Sequence, residues 1–368
     1  MAVRDHLPPV IRSPLSRLRA WAHDLVRVGL LGVLGQAADH LPRKHALALA
    51  SVAGRLDASW MFDDTGVRNE MLAAFALQGG AAVVAARTRA ARRYLDFVVY
   101  RRIRSGREDP ASWRVEERGA EVLDELRRSG DSFVIATGHF ARHPSYALWT
   151  GATIPHRIVN VTLPVRDASL PTSLSARWWS AHLALMMEVC LRVPRVELMF
   201  VGDRTVAARL VARLRRPGTA VVIAADAPVG PSHRTVHRRA FAGRTAQEFA
   251  RGTAAIARVA GCPIVVCVPY LEPDGTVVLE WRGPITPTAK SRNTGTRGTD
   301  HTAADIRVMD RILDELERMI GRRPAQYVLP IGRERRWNPD TEGWESPVSD
   351  GDAVAPAASA LESAVTGA

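Results

Sequence analysis

The chain opens with helical patterning. Leu25, Val28, Leu31, Val33 and Leu34 predict an amphipathic helix over Trp21 to Ala38. Arg27 and Gln36 interrupt it, so it falls short of the unbroken apolar run that a membrane span requires. A second helix is predicted over His45 to Leu56, after Leu41-Pro-Arg-Lys. Between Val67 and Arg104 the apolar spacing is again helical, and Gly79-Gly80 divides it in two. Arg114 to Glu117 reads as a short strand, and Ala120 to Arg128 as a charged helix that stops before Gly130. Residues 1–130 thus form an amino-terminal helical region.

From Ser132 the pattern changes to short β-prone runs alternating with helices. Strands are expected at Ser132–Thr137, Arg157–Leu163, Val196–Val201, Thr219–Ala225, Pro263–Pro269 and Thr276–Arg282. Helices are expected from Pro144 onward and at Ala176–Leu191, Thr205–Leu214, Ala246–Val259 and Asp305–Ile320. This alternation predicts an α/β fold, a mixed sheet covered by helices, over residues 131–337. Asp226 to Gly243 reads as a Gly/Pro/Arg-rich loop and Lys290 to Asp300 as a flexible one. The acidic Pro/Ala/Ser-rich segment 338–368 is expected to be disordered.

Composition narrows the class. With 368 residues, 46% of them hydrophobic, the chain can bury a sizeable core. Cys190, Cys262 and Cys267 sit in apolar runs without paired-ligand spacing, as reduced core cysteines of an intracellular protein do. No cleavable signal pattern precedes the first helix. These readings favour a cytoplasmic protein, with the first helix able to lie on the inner face of the cell membrane. The net charge is +12, and Trp337 to Ala368 contributes six acidic residues with no Lys or Arg. The body is therefore more basic than the total, which favours anionic partners: phospholipid head groups, an acidic carrier protein, phosphorylated substrates or nucleic acid.

The candidate chemistry centres on His139. Gly138 ends a predicted strand and Pro144 suits the start of a helix, so His139 falls at the carboxyl end of a strand, where ligands of open α/β sheets collect. An imidazole there serves as a general base, or simply closes the strand end. His139 and His143 make an H-x3-H pair, but Pro144 disfavours a helical conformation at His143 and no third ligand stands near, which argues against a metal. Serine-hydrolase chemistry is unsupported because no G-x-S-x-G elbow occurs, and dinucleotide binding because G-x-G-x-x-G is absent, so no cofactor is expected. A second constellation is Asp226 with the basic loop after it. Arg238 and Arg239 are candidates for clamping a phosphate, Gly243 permits close backbone approach and Arg244 follows it. Arg142, between the two histidines, is a further candidate for binding substrate.

Several segments, in one order, resemble the bacterial lipid A late acyltransferases and the related mannoside acyltransferases. They are Asn69-Glu-Met-Leu-Ala-Ala-Phe75, Val115-Glu-Glu-Arg-Gly-Ala-Glu-Val-Leu123, Ile135-Ala-Thr-Gly-His139-Phe140, Leu210 to Asp226, Phe241-Ala-Gly-Arg-Thr-Ala246, Gly252 to Val265 and Arg323-Pro-Ala-Gln-Tyr327, with Arg335-Arg-Trp337 behind. The resemblance spans residues 65 to 337. It implies a glycerolipid acyltransferase-like fold, with His139 as the base that activates an acceptor hydroxyl or amine toward an acyl thioester. The donor would be acyl carrier protein or acyl-coenzyme A, and the acceptor by default a glycolipid. One departure bears on mechanism: the family carries a carboxylate four residues after the His, and here that position is Pro144. The orienting partner must then come from elsewhere, from His143 or from a distant carboxylate such as Asp226. Alternatives are a specialised transferase using aminoacyl-tRNA or a soluble acceptor, and an inactive relative that binds anionic lipid.

Overall fold

A computed structural model describes residues 14–60, 80–140, 142–162, 188–201, 205–227, 236–242, 244–287, 299–327, 336–338 and 343–345. The helical region comprises α1 (Pro14–His40), α2 (Arg43–Trp60) and α3 (Gly80–Arg104). They share their own core, in which Leu31 and Leu34 of α1 and Tyr94, Phe97 and Val98 of α3 pack with Ala46, Ala50 and Ala53 of α2. Small residues on α2 let the helices come close. A Cβ on Gly54 would lie 2.2 Å from the Cα of Ala91, so that crossing requires glycine. Among the described residues no helix is long and apolar enough to cross a membrane.

The α/β body contains β1 (Val115–Arg118), α4 (Glu121–Ser129), β2 (Phe133–Thr137), α5 (Arg142–Trp149), β3 (Arg157–Thr162), β4 (Val196–Phe200), α6 (Val206–Leu214) and β5 (Thr219–Ala224). After these come β6 (Val236–Phe241), β7 (Arg244–Ala250), α7 (Gly252–Ala260), β8 (Ile264–Leu271), β9 (Val277–Ile285) and α8 (Thr299–Arg322). Seven strands form one sheet in the order β1-β9-β8-β2-β5-β3-β4. From β8 to β4 the strands are parallel, and β9 pairs antiparallel with β8, so the sheet is mixed.

Strand β2 lies near the middle and every residue of it is buried, as a strand covered on both faces must be. Its side chains alternate between two cores. Phe133 and Ile135 pack with Leu123 and Leu126 of α4 and Ala147 and Leu148 of α5. Val134 and Ala136 pack on the opposite face with Leu210 of α6, Ala254 and Ala257 of α7 and Ile312 and Leu316 of α8.

Three expectations change. The segment Asp226–Gly243, expected as a loop, contains β6, and the expected helix at Ala246 is instead strand β7, with helix resuming only at Gly252. The two strands form an antiparallel pair stabilised by the cross-strand pair Arg238–Glu248 and by Phe241 against Phe249, ring centroids 5.1 Å apart. Helix α5 begins at Arg142, so His143 is helical although Pro144 follows it. Proline is tolerated there because first-turn N–H groups have no intrahelical acceptor. Finally, β10 (Arg336–Asn338) and β11 (Gly343–Glu345) pair antiparallel with Trp337 opposite Trp344, placing a hairpin across the start of the segment expected to be disordered. The expected helix over Val67–Gly79, residues 176–187 of the expected helix Ala176–Leu191, residues 290–298 of the expected loop Lys290–Asp300 and the terminal 346–368 lie outside the described residues, and Thr299 and Asp300 already belong to α8.

Candidate active site

The centre of the site follows from strand register. Thr137, the last residue of β2, lies opposite Ala224, the last of β5, and Ala225 donates its N–H to the Thr137 carbonyl at 2.8 Å. Two residues beyond each strand end, His139 and Asp226 stand abreast. The Asp226 carboxylate meets His139 twice: its Oδ2 accepts the backbone N–H at 2.7 Å, and its Oδ1 lies 2.7 Å from ring Nδ1. Asp226 is fully buried, whereas 37% of the His139 side chain is exposed. A buried carboxylate is an acceptor, so Nδ1 carries the proton and Nε2 the basic lone pair of the neutral ring. Gly138 makes room for the pair, since a Cβ there would sit 3.1 Å from both Asp226 Oδ2 and the Phe140 ring.

The flanks of His139 are fixed by the last described part of the body. Phe140 forms an isolated antiparallel bridge with Tyr327, and their rings meet edge to face at 5.6 Å. The turn holding Tyr327 is tied to the end of β8 by Gln326, whose side chain donates to the Leu271 carbonyl at 2.7 Å and accepts from its N–H at 2.9 Å. Arg323 stacks over the Tyr270 ring at 4.0 Å and pairs with Glu272 at 2.9 Å. The Arg323-to-Tyr327 segment therefore clamps the residue next to the histidine.

His143 stands elsewhere. It is buried against Trp113, ring centroids 4.5 Å apart, and its backbone N–H donates to Asp96 Oδ1 at 3.0 Å. Burial first, then the charges of Arg43 and Arg92, press its pKa down to about 3. It stays neutral and is not the group hydrogen-bonded to His139 Nδ1; Asp226 is. The arginine clamp is also rearranged. Every nitrogen of the Arg239 guanidinium has a protein acceptor: the Ala240 carbonyl, Asp310 and Asp314, and Glu317. Arg238 pairs with Glu248 across the hairpin but is 68% exposed. Arg239 is thus committed to an ion-pair network on α8 rather than held open for a phosphate. Arg142 and Arg244 begin α5 and β7, with side chains outside the described set, as is Gly243. Among the described residues no three His, Cys, Asp or Glu side chains gather as a metal-binding group.

Sequence reading missed Asp96 and Arg92 of α3. Their only signal was an Arg and an Asp four apart on one helix face, a spacing common on solvated helices. No protein-family model matches the sequence, and neither does any curated protein.

Proposed function

We propose that the protein is an acyltransferase that moves an acyl group from a thioester, on acyl carrier protein or coenzyme A, to a hydroxyl or amine. The observation that carries this reading is the hydrogen-bonded pair of a half-exposed His139 and a fully buried Asp226 at the carboxyl edge of the central parallel strands. With Nδ1–H held by Asp226, Nε2 removes the proton of the acceptor O–H or N–H as that atom attacks the thioester carbonyl. The tetrahedral intermediate collapses, the C–S bond breaks, and the departing thiolate takes the proton back from Nε2. Asp226 offsets the positive charge that develops on the imidazole between the two transfers. The buried aspartate occupies the role for which Pro144 is unfit.

A peripheral place on an anionic membrane belongs to the same reading. The large apolar side chains left exposed concentrate on the helical region: Trp21, Leu25, Val26 and Val33 on α1, Leu49, Val52 and Leu56 on α2 and Val84 on α3. Apolar surface of that kind next to an excess of arginine suits the head-group boundary of a bilayer and a lipid-borne acceptor.

The test is transfer itself. Purified protein offered acyl carrier protein or coenzyme A charged with a radiolabelled acyl thioester, together with a glycolipid acceptor, is expected to turn over, and His139→Ala to lose on the order of a hundredfold or more of that rate with its fold retained. Unchanged turnover in the variant removes His139 from the mechanism. Aminoacyl transfer abolished by ribonuclease would replace the thioester donor with charged tRNA.

A further inference from the structure

The amino-terminal edge of the sheet, opposite the His139–Asp226 pair, holds a second basic constellation. Arg157 opens β3 and Thr219 opens β5; the two are partners in register, and the Arg157 N–H donates to the Gly218 carbonyl at 2.8 Å. Arg213 stands in the last turn of α6, and Arg216, Pro217 and Gly218 lie in the connection from that helix to β5. Together these residues line a cavity of about 330 Å³.

The arginines of the cavity differ in what they already hold. Arg213 is occupied: its Nε and one terminal nitrogen each lie 3.1 Å from the carboxylate of Glu197 on β4. Among the described residues no acceptor meets the guanidinium of Arg157 or of Arg216, and both residues are exposed. A helix dipole favours cations near its carboxyl end, which accounts for the arginines that close α6. It does not account for Arg157, which strand pairing brings in from β3. Like charges gathered around one concavity repel, and an anion between them removes that repulsion. Room for it is open beside Gly218, where a Cβ would meet nothing within 4 Å. Thr219 adds a hydroxyl, its own N–H being taken by Ser132 Oγ at 3.1 Å.

We infer that this cavity is a binding site for a phosphate group, as free phosphate or as the phosphomonoester of a small metabolite. Arg157 and Arg216 hold its oxygens by charge-assisted hydrogen bonds, and Arg213, fixed in place by Glu197, adds positive charge to the wall. A phosphate suits guanidinium groups that arrive from separate elements, because its oxygens point in several directions, whereas a carboxylate presents two in one plane. The volume falls at the small end of ligand sites and fits a metabolite rather than a macromolecule. Asp226 follows the far end of β5, roughly 20 Å away at about 3.3 Å per residue. The bound group is therefore not one on which His139 acts, and the site stands whatever reaction the dyad performs.

Calorimetric titration of the full chain at fixed ionic strength provides the test, with inorganic phosphate, glycerol 3-phosphate and glycerol as probes. Saturable binding of a phosphate probe is expected, and none of glycerol. Glycerol 3-phosphate bound more tightly than inorganic phosphate identifies a phosphorylated metabolite as the ligand; otherwise the ligand is free phosphate. Arg157→Gln and Arg216→Gln are each expected to weaken binding by on the order of tenfold or more, as the loss of a charge-assisted hydrogen bond does. Arg215→Gln is the control. It removes an equal charge from the same helix end, but its guanidinium donates to the Val259 carbonyl at 3.2 Å and lines no part of the cavity, so binding is expected to stay within about twofold. Arg216, exposed in the connection, carries the test if Arg157→Gln fails to fold. The inference is overturned by an absence of saturable phosphate binding below about 10 mM, by binding that either folded cavity variant keeps at wild-type strength, or by an equal loss in Arg215→Gln, the mark of a general basic surface.

Discussion

Replacing Asp226 with asparagine keeps its volume but turns one acceptor into a donor. The amide N–H would face Nδ1 and force the imidazole proton to Nε2, where the lone pair is needed. Asp226→Asn is therefore expected to lower kcat by on the order of a hundredfold or more, with a urea midpoint near the wild type's. Asp226→Ala is expected to lose activity and about 1–3 kcal/mol of stability, because it also strips the acceptor from the partly buried backbone N–H of His139. The position of His139 was legible because a β-prone run, a glycine and a helix-starting proline bracket it. Asp226 could be offered only as one candidate, since lateral strand order decides which strand ends are neighbours and no local pattern encodes that order.

The β6–β7 hairpin shows the same limit among elements. Arg244-Thr-Ala-Gln-Glu-Phe-Ala250 is made largely of residues comfortable in a helix, and Val236-His-Arg-Arg-Ala-Phe241 follows a stretch broken by Pro228, Gly230 and Pro231. Pairing overrode both local preferences, because it buries Phe241, Phe249 and His237 and hands His237 to Asp310 at 2.7 Å. The central strands were legible because they are apolar on both faces. Since Arg239 lies in an ion-pair network with α8, Arg239→Ala is expected to cost about 1–2 kcal/mol in denaturant unfolding while leaving the donor KM within about twofold. Arg238→Ala, on an exposed side chain, is expected to shift stability by no more than about 0.5 kcal/mol. A donor KM raised tenfold in the Arg239 variant would return that residue to the substrate.

For the whole molecule, two expectations follow from what is buried and what is not. His143 has an ordinary pKa of 6.5, lowered to about 3 in the folded protein. Between those values the unfolded chain binds the extra proton, so stability rises with pH and is lost as pH falls from about 6.5 toward 3. His156, also lowered by burial, acts in the same direction. His143 alone is expected to remove about 1.4 kcal/mol between pH 7.5 and 5.5, measured by urea unfolding, and His143→Phe to remove that share of the slope. The exposed apolar side chains on α1 to α3 are expected to bring the protein down with anionic vesicles and to let carbonate or high salt release it; a demand for detergent would contradict a peripheral attachment. The pairing of His139 with Asp226 has one more consequence, which concerns synthesis. The two residues are separated by 87 positions and meet only through the lateral contact of β2 and β5. A ribosome that has just threaded out the histidine holds a base without its partner, and the dyad cannot form until the aspartate has emerged and both strands have settled side by side. Whatever proton transfer the pair performs is thus withheld from the nascent chain until the event that seals the middle of the sheet.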